Sequence, residues 1–203
     1  MAVALGGCGA LSVDELPPAA GPARSPPATV APAGRVVPLG DAPSRVAVDP
    51  HGGRVATVGS DVAVLSTRER VLALYDARTR RRIGRAGAGI GPTHVAAYSG
   101  WLYVTDTRGG ALLVLRVHPR LELVRRAYLP GAPYAIAVDP VRRRLWVTLT
   151  ARNELVELPA HGRPHPLRRF ATVRQPDAVT VDARSGRVLV AGRAAAVVQI
   201  IAP

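Results

Sequence analysis

The stretch "PYAIAVDPVRRRLWVTLT", residues 133–150, decides how this chain folds. Two short apolar runs, Tyr134–Val138 and Leu145–Thr150, flank Asp139-Pro140. Runs of this length, rich in aliphatic and β-branched residues and bounded by turn residues, predict strands. The Asp-Pro pair predicts the turn between them, because aspartate bonds its own backbone and proline starts a turn. Glu154–Leu158 and Leu167–Thr172 add two more strands, so the unit is a four-stranded antiparallel sheet.

The unit recurs. "PSRVAVDPHGGRVATVG" starts at Pro43, "PTHVAAYSGWLYVTDT" at Pro92 and "PDAVTVDARSGRVLVAG" at Pro176. From 43 to 92, 92 to 133 and 133 to 176 the starts are 49, 41 and 43 residues apart. A period of about 40–45 with four short strands predicts propeller blades. The first strand of three copies alternates large and small: Val46, Val95 and Ile136 against Ala47, Ala96 and Ala137. That alternation fits the innermost position, where blades converge and space is short. Asp61–Arg70, the extra length of the first copy, is expected as a long loop or small hairpin.

"GAPYAIAVDPVRRRLWVTLTARNELVEL" resembles the YVTN-repeat β-propeller family. Leu102–Thr107 and Leu145–Thr150 match its signature best, with Asp106 in one copy and Leu149 in the other at the fourth position. The resemblance covers residues 35–203. It implies the fold and leaves the activity open, since propellers host unrelated functions.

The ends of the repeat predict how it closes. The fourth copy supplies Ala178–Val181, Arg187–Val190 and Val197–Ile201 and lacks a fourth strand, whereas Arg35–Leu39 precedes the first copy without a blade of its own. Pairing the two would complete one blade and hide two sheet edges. The expected fold is all-β: a β-propeller of about four four-stranded blades, closed by N- and C-terminal strands in one blade. The alternative is half of a larger ring, completed by a second chain.

Composition agrees with this. The 203 residues include 20 glycines and 19 prolines, and 48% are hydrophobic but only 4% aromatic. Turns are therefore frequent, and aliphatic residues build the core. The net charge is +13 and all 27 basic residues are arginine; Asn153 is the only asparagine. Such one-sided usage is the mark of GC-rich coding, so an arginine is not by itself a chosen contact. A cationic chain still attracts anionic partners. The lone cysteine excludes an internal disulfide.

Cys8 stands in Leu5-Gly6-Gly7-Cys8, which resembles a bacterial lipobox: an aliphatic residue, two small ones, and the cysteine that receives lipid. Residues 1–8 are expected to be a partial lipoprotein signal peptide, with the true start upstream, since only four residues precede Leu5. Residues 9–34 are rich in proline, alanine and glycine and are expected as a disordered tether; residues 35–203 form the propeller. The resemblance implies an exported protein, lipid-anchored to the outer face of the bacterial cell membrane. Without an upstream signal it would be cytoplasmic.

Several motifs are set aside. Gly87–Gly91, "GAGIG", precedes a proline and a strand, not the helix a dinucleotide site needs. His161 and His165 have zinc-ligand spacing, but the prolines of "HGRPHP" forbid a helix. Asp49, Asp139 and Asp182 are expected to form turns. No metal or other cofactor is expected.

Two sites remain. The first is the channel mouth at the start of each first strand: Ser44, Arg45, Thr93, His94, Tyr134 and Asp177. The second is a basic face, where the turns between strands one and two and strands three and four gather. It carries Arg80, Arg81, Arg82, Arg142, Arg143 and Arg144. The opposite face balances its arginines with Asp41, Asp61, Glu69, Asp106, Glu154 and Asp177. The function expected is a non-enzymatic platform for a protein, glycan or small ligand, with anionic lipid or cell-wall polymer as partners of the basic face. The alternative is a lactone- or ester-hydrolase using His94 and Asp177. Nucleic acid is not expected, because stacking aromatics do not accompany the arginines.

Overall fold

The computed structural model describes residues 18–38 and 55–203. Four antiparallel four-stranded sheets make up the fold, a β-propeller. β1 (Arg35–Pro38) belongs to the last blade. Blade I holds β2 (Val55–Val58), β3 (Asp61–Ser66), β4 (Val71–Asp76) and β5 (Arg82–Gly87). Blade II holds β6 (Pro92–Tyr98), β7 (Trp101–Asp106), β8 (Ala111–Arg116) and β9 (Glu122–Tyr128). Blade III holds β10 (Pro133–Asp139), β11 (Arg144–Leu149), β12 (Glu154–Pro159) and β13 (Arg168–Ala171). Blade IV runs β14 (Pro176–Val181), β15 (Val188–Gly192), β16 (Val197–Ile201), then β1.

The N- and C-terminal strands share blade IV, with Arg35 opposite Ile200 and Pro38 opposite Val197. Blades I to II, II to III and III to IV are joined by residues 88–91, 129–132 and 172–175. So short a link carries the chain from an outer strand back to the next inner one. The inner strands β2, β6, β10 and β14 lie side by side in that order.

Each seam between blades is apolar. Leu65, Leu72 and Leu74 of blade I meet Val95, Leu102 and Leu113 of blade II. Tyr103, Leu112 and Val114 meet Leu145, Val147 and Val156. Trp146 and Leu155 meet Val179, Val188 and Val190. The alternation along the inner strands divides their side chains between two seams. Val95 joins the I–II cluster while Ala96 packs on the II–III cluster; Ile136 joins II–III while Ala135 joins III–IV.

The register of blade I differs from expectation. Asp61–Ser66 is not a loop or hairpin but a regular second strand, and β2 takes the inner position beside β6. Alternation explains it: Ala63 and Leu65 are buried toward blade II while Val64 between them is exposed. Val62–Thr67 is thus the counterpart of Leu102–Thr107. Residues 43–50, on which the expected first strand falls, lie outside the described residues.

The spacer reading does not extend through residue 34. Ser25 is buried, its hydroxyl donates to the Thr150 carbonyl (2.7 Å), and it accepts the Gln175 N–H (2.9 Å). Ala23 N–H donates to Thr150 Oγ1, and Asn153 Nδ2 donates to the Pro26 carbonyl. One buried serine and its backbone thus satisfy polar groups that blades III and IV leave open. Gln199, fully buried, extends this lacing: Nε2 donates to the carbonyls of Ala33 (2.5 Å) and Ala171 (2.9 Å), and Oε1 accepts Val173 N–H (3.0 Å). Gln199→Leu strands these partners in the interior and is expected to cost about 2–4 kcal/mol. A lower urea midpoint with an unchanged slope checks it.

Candidate functional site

Strand alternation gives the disc two faces. The inter-blade connections share one face with the second-to-third strand turns, residues 67–70, 107–110, 150–153 and 193–196. The opposite face carries the first-to-second and third-to-fourth turns.

On the connection face, threonines in and just after β7 and β11 converge as a clamp on one inner strand, β10, and the link that leads into it. Thr105 Oγ1 donates to the Tyr134 carbonyl (2.6 Å) and Thr107 Oγ1 to that of Pro133 (2.7 Å). Thr148 Oγ1 accepts Ala135 N–H (3.0 Å), and Thr150 Oγ1 donates to the Ala132 carbonyl (3.2 Å). Asp106, fully buried, accepts N–H groups of Ile90, Gly91 and Gly109 on one oxygen, at 3.1, 2.8 and 3.1 Å. Its role is to tie an inter-blade link to a turn.

The structure distributes the proposed mouth residues unevenly. Thr93 is buried and its hydroxyl is engaged by Thr107 (2.8 Å), Thr105 (3.0 Å) and the Tyr134 carbonyl (3.2 Å). It is part of the clamp. His94 and Tyr134 come together, with ring centroids 4.7 Å apart in an edge-to-face arrangement. Asp177 is buried on blade IV with Arg193 Nη1 3.9 Å from Oδ2. Burial pushes its carboxyl up to about 6, opposed by Arg193. Ser44, Arg45 and Cys8 lie outside the described residues. No cluster of three or more His, Cys, Asp or Glu suited to a metal occurs among the described residues. His161 stands edge-to-face against Tyr98 and His165 bonds the Arg163 carbonyl, both in a strandless loop.

On the other face, three acids are turn formers. Asp139 Oδ1 accepts N–H groups of Val141 (3.0 Å) and Arg142 (2.9 Å). The Ser185 hydroxyl, then the Arg184 N–H, hold the Asp182 carboxyl below the usual range. Bonds from the Thr79 N–H and hydroxyl do the same for Asp76. Asp49 lies outside the described residues. Arg142 pairs with Asp139 (3.1 Å), and Arg144 and Arg168 enclose buried Glu157 at 3.0 and 2.5 Å. Arg80, Arg81, Arg82 and Arg143 make no ion pair among the described residues. Asp61, expected on the connection face, begins β3 on this one, 3.8 Å from His118 Nε2.

At the same end of the seam between blades II and III a cleft of about 350 Å³ opens. Trp101, Tyr103, Val114 and Val124 form its apolar wall, and Arg125, His161 and Arg163 its polar edge. The Tyr103 hydroxyl donates to the Ala160 carbonyl, and burial pushes its pKa up to about 12. A second cleft, about 370 Å³, lies between residues 26–30 and the edge of blade III.

No protein-family model matches the chain, and no curated protein sequence does. Solved propellers do. The β-propeller domain of Cps50 (Swd1) from Myceliophteria thermophila is 14% identical at TM-score 0.61, covering 74% of this chain and 54% of that one. A putative 6-phosphogluconolactonase from Bacteroides uniformis is 13% identical at TM-score 0.61, covering 73% and 50%. The WD40 domain of Toxoplasma gondii coronin is 14% identical at TM-score 0.57, covering 73% and 45%. The chain spans about half the length of these structures. They share its fold, and they include a WD40 domain and a putative lactonase.

Asp177 generates a pH prediction. An aspartate's ordinary pKa is 3.8 and the folded value is about 6. Below the lower value both folded and unfolded chains hold the proton. Between the two only the unfolded chain releases it, so stability falls as pH rises through that window and stays lowered above it. Asp177→Asn is expected to remove about 1–3 kcal/mol of this fall. Urea midpoints of both proteins at pH about 4 and about 7 check it.

Proposed function

We propose that the protein is a non-enzymatic binding module whose basic face holds an anionic, sugar-bearing polymer of the bacterial cell envelope. The observation that carries this is the set Arg80, Arg81, Arg82 and Arg143, which spend no charge on protein acids among the described residues. Unpaired guanidinium groups on turns of the same face offer bidentate partners to phosphate or carboxylate. The nearby cleft supports a polymer over a bare ion: Trp101 supplies a flat apolar wall while Arg125, His161 and Arg163 supply charge.

The reading keeps the lipidated Cys8 and the YVTN-like repeat as parts of the proposal. Its geometry favours wall polymer over the anchoring membrane. Ala20, near the start of the described residues, lies against Gly91 on the connection face; a lipid anchor at Cys8 would on this proposal leave the basic face turned outward. The hydrolase alternative rests on His94 and Asp177; the former meets Tyr134 edge-to-face and the latter lies beside Arg193.

Binding to a teichoic-acid-type polymer is expected to weaken with added salt. Replacing Arg80, Arg81 and Arg82 with Gln is expected to weaken it about 10–100-fold, on the order of 1 kcal/mol per basic residue. Calorimetry with the polymer, and sedimentation with phosphatidylglycerol vesicles, would separate wall from lipid. Unchanged polymer affinity in the triple variant would sink the basic-face reading.

A further inference from the structure

The cleft at the seam between blades II and III has a wall from each blade. On blade II, Tyr103, Val114 and Arg125 stand in one cross-strand row. The register shifts between Val114 and Leu115, so Val124 has no partner on β8, and it lines the cleft beside Arg125. A bulge re-aims side chains in this way. Trp101 packs on the apolar seam and also lines the cleft. Residues 160–163, which follow β12, make the opposite wall.

That wall is held in place without strand pairing. The Tyr103 hydroxyl donates to the Ala160 carbonyl, and Ala160 N–H donates to the Arg143 carbonyl (3.0 Å). His161 rests against Tyr98, with ring centroids 5.1 Å apart. Leu167 N–H closes the far end on the Glu157 carbonyl (2.8 Å). Pro164 and Pro166 fix two backbone angles between these anchors. A wall ordered beforehand loses little freedom when a ligand enters.

The chemistry of the lining is one-sided. Arg125 and Arg163 make no ion pair among the described residues. His161 adds a third nitrogenous group, and among the described residues no acid and no amide side chain lines the cleft. Trp101 offers a flat apolar surface for the C–H face of a sugar ring, whose hydroxyls stay at the wet rim. Reading the edge of a nucleobase calls for the amide or carboxylate side chains that are missing here. The volume, about 350 Å³, lies at the low end for small-ligand sites, roughly 300–1,000 Å³, which suits a single ring.

We infer that this cleft binds one sugar ring carrying a carboxylate or phosphate, the ring on Trp101 and the anionic group on Arg125 and Arg163. The inference rests on the polymer reading above and adds the unit that is recognised, an acidic sugar at an end or branch. Arg80, Arg81 and Arg82 hold charge along the polymer, and the cleft reads one residue of it.

Monomers test the cleft apart from the polymer. Glucuronate, glucose 6-phosphate, glucose and uridine 5′-monophosphate are titrated into the full 203-residue chain by calorimetry. Trp101 fluorescence gives a second readout, since the other tryptophan, Trp146, is fully buried. A charged sugar should bind saturably and at least ~10-fold tighter than glucose. The tighter of the two names carboxylate or phosphate as the group. Arg163→Gln should weaken the charged sugars roughly 10–100-fold and leave glucose nearly unchanged. A variant that merely loosens the fold would weaken charged and neutral sugars alike, so the gap between them is diagnostic. Arg125→Gln replaces Arg163→Gln should that variant melt early. The variant with Gln at 80, 81 and 82 should bind monomers as the unaltered chain does. Absence of saturable binding by both charged sugars would overturn the inference, even with polymer binding intact. So would an unchanged gap in well-folded Arg163→Gln and Arg125→Gln proteins, or tighter binding of uridine monophosphate than of glucose 6-phosphate. Monomer binding without polymer binding would uphold the cleft and sink the polymer reading instead.

Discussion

A propeller blade has two faces, and each must be dried by a neighbour. That constraint governs this molecule. Aromatic residues are scarce, and apart from Tyr103 and Trp146 the buried side chains of the seams are aliphatic. Rows of leucine and valine from adjacent blades meet, and the inner strands divide large and small side chains between the seams on either side. Where blades converge, alanine supplies the narrow side of the wedge and valine or isoleucine the wide side. Thr105 and Thr107 complete the join between blades II and III by holding backbone carbonyls of β10, which a purely apolar seam would leave unsatisfied.

Charge is handled by a different rule. The buried acids are committed to structure: Asp106 gathers three N–H groups, Glu157 two arginines, Asp139 a turn. Arginine is in excess of what these can absorb. Among the described residues Arg80, Arg81, Arg82 and Arg143, on turns between strands one and two or three and four, are left without an ion pair.

Much of the architecture was legible because strand pattern and turn chemistry repeat. The pairing of Arg35–Pro38 with Val197–Ile201 followed from a strand missing at one end and spare at the other. Blade I was read out of register because Pro43–Gly59 matches Pro176–Gly192 so well that Asp61–Ser66 looked like an insertion; its alternation of Ala63 and Leu65 with Val64 was the better guide. The docking of residues 23–26 was hidden by composition, since proline- and alanine-rich sequence gives no sign that one serine will be buried. The cleft was hidden for another reason: Trp101, Arg125 and His161 come from three separate elements. Thr93 illustrates the limit of polarity as a signal, its hydroxyl being spent inside the protein.

The placement of β1 has a consequence in time. A ribosome releases this strand early, while its partner β16 lies at the far end of the chain. Blades II and III can fold as they emerge, each from contiguous sequence, but β1 must wait unpaired until β16 has been made. Its edge is a liability over that interval. Val36 and Val37 sit between Arg35 and Pro38, a guanidinium and an imino acid that discourage pairing with any passing strand.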